Sequence, residues 1–131
     1  MTQRATGEFE VILTPLDTHD AAASLGRRSI NKQFRGDLEA TSKGEMLAAV
    51  ESNGSAVYVA LERVTGKLHG RSGSFVLLHS ATMTAASQQL SVTVVPGSAT
   101  GELDELHGKM SINIVEKKHY YEFDYTLPHV E

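Results

Sequence analysis

Cysteine is missing from all 131 residues, which removes disulfides, thiolate metal ligands and a cysteine nucleophile, so the fold must stand on packing alone. Also absent is any apolar run approaching the ~20 residues of a membrane-spanning helix. The opening MTQRATGEFEV lacks the apolar centre of a signal peptide. A cytoplasmic location is therefore expected. Basic charge is not in excess: 12 Lys and Arg are scattered among 16 Asp and Glu, for a net charge of -4. Nucleic acid is not an expected partner, because counterion release needs a clustered basic surface.

Several chemical signatures are missing as well. The six histidines show neither HxH nor HExxH spacing, so no metal site is expected unless ligands converge from separate strands. No GxSxG elbow is present to activate a serine. The Gly-rich stretch Gly66-Lys67-Leu68-His69-Gly70-Arg71-Ser72-Gly73 lacks the GK[ST] ending of a phosphate cradle and reads as a turn. The acidic group Glu102, Asp104 and Glu105 lacks the dense oxygen spacing of a calcium loop and reads as a solvated loop. No cofactor is implied. Arg35-Gly36-Asp37 and Asn53-Gly54-Ser55 formally match an adhesion tripeptide and a glycosylation acceptor, yet both suit hairpin turns better.

What the chain does have is a recurrence of strand-length apolar segments, spanning Glu8 to Leu13, Arg28 to Phe34, Leu38 to Val50, Ala56 to Leu68, Ser74 to Met83, Leu90 to Val95, Lys109 to Val115 and Tyr120 to Leu127. Turn residues separate them, and short connections imply antiparallel neighbours. Only Asp20 to Leu25 and Gly44 to Glu51 have helical composition, and both are short or flanked by strand-like residues. Asp17 to Gly26 reads as a loop with room for one helical turn. The expectation is an all-β single domain over residues 1–131: one closed antiparallel barrel of about eight strands, in which closure removes the exposed edges. A two-sheet sandwich is the structural alternative.

The richest stretch is Tyr58 to His79, where two apolar runs carry ionisable groups that buried strands normally exclude. Alternation puts Phe75, Leu77 and His79 on one face, and Tyr58, Ala60 and Glu62 on one face of the preceding strand. Pointing inward, Glu62 would sit in the barrel beside a phenol and need a cation or donor, with Arg71 and His79 as candidates. Pointing outward, it would pair with a surface Lys or Arg. His79 is either a hydrogen-bonded core residue or part of a pocket wall. Tyr58, Glu62, Arg71 and His79 are thus the candidate ligand-binding residues. Tyr121, Phe123 and Tyr125 alternate as a core wall and, secondarily, as a stacking surface. Val57, Val59 and Leu61 would then lie outside, and an apolar outer wall suggests a homo-oligomer, most simply a dimer.

Three phrases, FRGDLEATSKGEMLAA (34–49), LERVTGKLHGRSGSFVLLH (61–79) and VVPGSATGELDELHG (94–108), resemble a bacterial family of unknown function, the domain of unknown function numbered three-two-two-four. The resemblance covers most of the chain in order. It implies a calycin-like barrel similar to that of plant allene oxide cyclase, with an apolar cavity and oligomeric assembly, and it brings no reaction with it. Three functions stand open: a barrel binding a small apolar molecule through Tyr58, Glu62 and His79; an isomerase or cyclase in which Glu62 or His79 moves a proton; and a filled structural barrel whose purpose lies on its outer wall.

Overall fold

A computed structural model describes residues 2–16 and 25–128. Its strands are β1 (Gln3–Leu16), β2 (Leu25–Gly36), β3 (Leu38–Val50), β4 (Ala56–Leu68), β5 (Arg71–Met83), β6 (Gln88–Val94), β7 (Thr100–Gly101), β8 (His107–Val115) and β9 (Lys118–Thr126). Hydrogen-bonded neighbours run β4-β3-β2-β1-β9-β8-β6-β5, and β5 pairs back onto β4. All pairings are antiparallel. The result is a closed eight-strand barrel with the short β7 outside it, laid against Gly73 and Ser74 of β5. No helix occurs among the described residues. Gly44 to Glu51, helical in composition, is the second half of β3 up to Val50, where pairing with β2 and β4 overrides local propensity. Most of the Asp17 to Gly26 loop expected from sequence lies outside the described residues.

The turns follow their residue chemistry. His69 and Gly70, both with positive φ (47° and 82°), join β4 to β5 in the primed geometry that matches strand twist. The Gly-rich stretch is therefore mostly strand, with a turn of only those residues. Arg35-Gly36-Asp37 forms the β2–β3 turn: Gly36 takes φ 107°, and the Asp37 carboxylate accepts the Thr6 N–H at 2.9 Å. Asn53-Gly54 lies in the β3–β4 turn, where the Asn53 side chain accepts the Ser55 N–H at 3.0 Å.

The two ends of the barrel differ. At the end carrying the β2–β3 and β4–β5 turns, the interior is filled by Phe34, Leu38, Leu68, Phe75, Phe123 and Tyr125, all almost fully buried. Leu103 and Leu106, from the loop between β7 and β8, are buried with them and plug that end. Phe75 stacks on Phe123 with centroids 5.8 Å apart, and Phe123 on Tyr125 at 5.5 Å. The Tyr121 hydroxyl accepts the Leu38 N–H at 2.8 Å and donates to the Arg35 carbonyl at 2.9 Å. Burial pushes that phenol up to about 12; the Leu38 N–H acts the other way, and Asp37 and Glu39 add to the rise.

At the opposite end, strand register assigns Leu13, Leu90 and Ile114 to the inner wall, because they share rows with Ile30, Ala81 and His119. They are nevertheless 39%, 45% and 62% exposed. Here β6 and β8 are joined by one pair, Thr93 with Lys109. From that pair towards Gln88 on β6 and Val115 on β8 the wall has no ladder. The barrel is closed in topology but parted along this seam.

Candidate functional site

Glu62 stands midway along β4, facing inward. Its cross-strand neighbours are Gly44 on β3 and Leu77 on β5. A Cβ at Gly44 would lie 2.6 Å from the Glu62 Cα and 2.8 Å from its Cβ, so this glycine is what lets the two strands close around the carboxylate. The Glu62 side chain has no solvent exposure. Its Oε1 accepts from Lys32 Nζ at 2.9 Å and His79 Nε2 at 2.6 Å, and its Oε2 accepts from Ser42 at 2.6 Å. Three neighbouring elements thus converge on one carboxylate: Lys32 from β2, Ser42 from β3 and His79 from β5. Lys32 also lies over the rings of Phe9 (4.8 Å) and Phe34 (5.6 Å), contacts that help hold a cation out of water.

Burial by itself would raise the Glu62 pKa and favour the neutral acid. The His79 hydrogen bond, the Lys32 and His79 charges and the Ser42 bond outweigh it and hold the carboxyl at about 2, against an ordinary 4.5. Glu62 is therefore ionised at neutral pH, so the proton it shares with His79 sits on Nε2. No buried side-chain nitrogen or oxygen among the described residues is left without a partner.

Of the residues singled out from sequence, Tyr58, Glu62 and His79 share one region of the inner wall. Tyr58 is half-buried one row nearer the open end than His79, opposite Ala81. Burial first, and then the Glu62 charge, raise its phenol. Arg71 is elsewhere. It opens β5 at the plugged end, paired in register with Leu68, and its charge acts on the Tyr125 hydroxyl. The cation that meets Glu62 is Lys32, which sequence reasoning missed. Its only sequence signal was alternation: Ile30, Lys32 and Phe34 share a face of β2, which makes Lys32 the polar member of an apolar row. Ser42, between Ala40 and Gly44 on the inward face of β3, carried no distinguishing mark.

A second polar group closes the plugged end. The Tyr125 hydroxyl hydrogen-bonds His69 Nδ1, and His69 Nε2 lies 3.5 Å from the Asp37 carboxylate. This chain ties the β2–β3 and β4–β5 turns to β9. Among the described residues no group of three His, Asp or Glu side chains is placed to hold a metal ion. On the outer wall, Leu47, Val59, Leu61 and Leu78 of β3, β4 and β5 line a shallow apolar groove bordered by the Arg27–Glu45 ion pair.

The sequence-family model for a protein of unknown function, DUF3224, matches residues 5–125. The chain belongs to this family. A solved DUF3224 structure from Shewanella oneidensis MR-1, itself of unknown function, superposes with a TM-score of 0.92 at 45% identity, covering 99% of this chain and 100% of that one. No curated protein matches. The DUF3224 barrel is thus shared over its whole length with a relative that brings no assigned activity.

Proposed function

We propose that the barrel binds a small, mostly apolar molecule in its open half. One observation carries this reading: inward-facing Leu13, Leu90 and Ile114 stay exposed around a wall of small residues, Ala48, Ala60 and Ala81, whereas the other half is filled solid. Apolar walls with a few convergent polar groups are what small-molecule sites offer. The alternative of an isomerase or cyclase, which the resemblance to the allene oxide cyclase barrel suggests, asks a group of near-neutral acidity to move a proton. Glu62, held at about 2, does not supply it, and His79 has its Nε2 committed to Glu62, so binding is the better-supported function. Titration with the neutral fluorophore N-phenylnaphthylamine tests it: enhanced, saturable emission is expected from the natural protein and little from Ala48→Phe, whose ring would occupy the open half. Equal emission from both would place the dye outside the barrel and sink the reading.

The outer groove supports a separate proposal, that a second copy of this chain covers it. A contiguous apolar groove rimmed by polar residues is the kind of surface that marks interfaces. Its border carries a cation and an anion, Arg27 and Glu45, so a two-fold related copy meets opposite charges on the same patch. Leu61→Lys should convert a dimer to a monomer in sedimentation equilibrium. A natural protein that sediments as a monomer at high concentration would refute the proposal.

A further inference from the structure

Two polar atoms on the inner wall have no partner among the described residues, the Nδ1 of His79 and the hydroxyl of Tyr58. His79 uses only Nε2, on Glu62. Since no buried side-chain nitrogen or oxygen among the described residues lacks a partner, both atoms retain accessible surface in spite of the near-complete burial of His79. Register brings them together: His79 faces Ala60 across the ladder, and Tyr58, on the same inward face, faces Ala81. This is the diagonal relation, with backbones roughly 7–8 Å apart, that aromatic side chains span.

Resting on the small-molecule reading above, we infer that the ligand is a neutral, largely apolar molecule bearing a hydroxyl group, which donates to His79 Nδ1 and accepts from the Tyr58 hydroxyl. The Glu62 carboxylate holds one imidazole proton on Nε2; whenever the ring carries only that proton, Nδ1 presents a lone pair and needs a donor. Tyr58 can give a hydrogen bond to the same oxygen. A hydroxyl satisfies both at once. An ether or ketone has nothing to donate to Nδ1, leaving it unmatched. A carboxylate has no proton for it either, and brings a second negative charge towards Glu62, whose charge Lys32 already balances. Most of the remaining inward surface, Met46, Leu90, Ile112 and Ile114, is apolar, which suits a hydrocarbon body; the polar inward residues Arg28, Gln88 and His119 share rows with Met46, Met83 and Ile114 nearer the rim.

The experiment uses the whole chain and three compounds of one shape, naphthol, methoxynaphthalene and naphthoate, each displacing N-phenylnaphthylamine. Naphthol is expected to compete about fivefold to tenfold better than methoxynaphthalene, the value of one or two net hydrogen bonds. Tyr58→Phe and His79→Gln should shrink that gap while leaving methoxynaphthalene unchanged; Tyr58→Phe keeps the ring, and His79→Gln keeps a donor for Glu62. Nitrogen-15 NMR should show the His79 Nδ1 resonance shifting with naphthol and not with methoxynaphthalene. Equal competition by the two, or strongest competition by naphthoate, overturns the hydroxyl assignment and leaves the binding function standing. A naphthol preference that survives both substitutions overturns the roles of His79 and Tyr58. Failure of the natural protein to bind the fluorophore or any of the three removes the binding function itself.

Discussion

The Lys32–Glu62–His79–Ser42 cluster concentrates most of the polar risk of this interior at one carboxylate. Removing one partner from a buried ion pair strands the other, at a cost of about 3–5 kcal/mol. Lys32→Met and Glu62→Gln should each destabilise on that scale in urea unfolding, whereas the double variant should cost less than the two added together, because neither charge is then left alone. Acid should act through the same carboxyl. Lys32, His79, Ser42 and Tyr58 face it from β2, β5, β3 and its own strand. Its folded value is depressed, so the stabilisation is fully present above the ordinary 4.5 and is lost as pH falls towards about 2. Urea midpoints should fall steeply across that window in the natural protein and more shallowly in Glu62→Gln. Glu62 and His79 were legible from sequence as ionisable groups inside apolar alternation. Lys32 was not, because its partner is thirty positions away and only the inward curl of β2, β3 and β4 brings the two together across β3.

At the scale of the strands, pairing is uneven. β3 and β4 are matched over their whole lengths, from Leu38 with Leu68 to Val50 with Ala56, whereas β6 and β8 share a single pair. Backbone groups on the facing edges of the seam depend on water, and such segments open at low cost. Hydrogen exchange should therefore find the seam-facing amides of Gln88 to Val92 far faster than those of β3 and β4; uniform protection around the barrel would contradict the parted seam. Gly44 is the opposite case, a place where closeness is obligatory. Gly44→Val should cost about 1–3 kcal/mol from overpacking and displace Glu62, visible as a changed His79 resonance. Alternation and turn residues showed eight strands and nearly all their hairpins in advance. The seam was invisible there, since Leu90 to Val95 and Lys109 to Val115 look as strand-like as the rest.

For the molecule as a whole, the contrast between a filled and an open half predicts where stability resides. Phe75→Ala at the plugged end should cost about 3–5 kcal/mol, a full aromatic cavity. Leu90→Ala at the open end, where the side chain is already 45% exposed, should cost less than about 1.5 kcal/mol on the usual burial scale. Calorimetry on both variants would check the asymmetry, and equal losses would argue for an interior packed throughout. A stable, aromatic-filled base leaves the barrel intact while the β6–β8 seam of the other half is held by a single pair, an arrangement that would suit the proposed binding function.

By itself the amino-acid sequence determined the class of fold, because period-two alternation, primed-turn residues and the lack of crossover helices leave a closed antiparallel meander as the economical solution. It also determined that Glu62 and His79 would be the chemically pointed residues of their strands. Only the tertiary structure decided which way Glu62 faces, which cation meets it and which end of the barrel is filled. Those depend on barrel stagger and on the loop that brings Leu103 and Leu106 into the base, relations between residues far apart in the chain that no local period encodes.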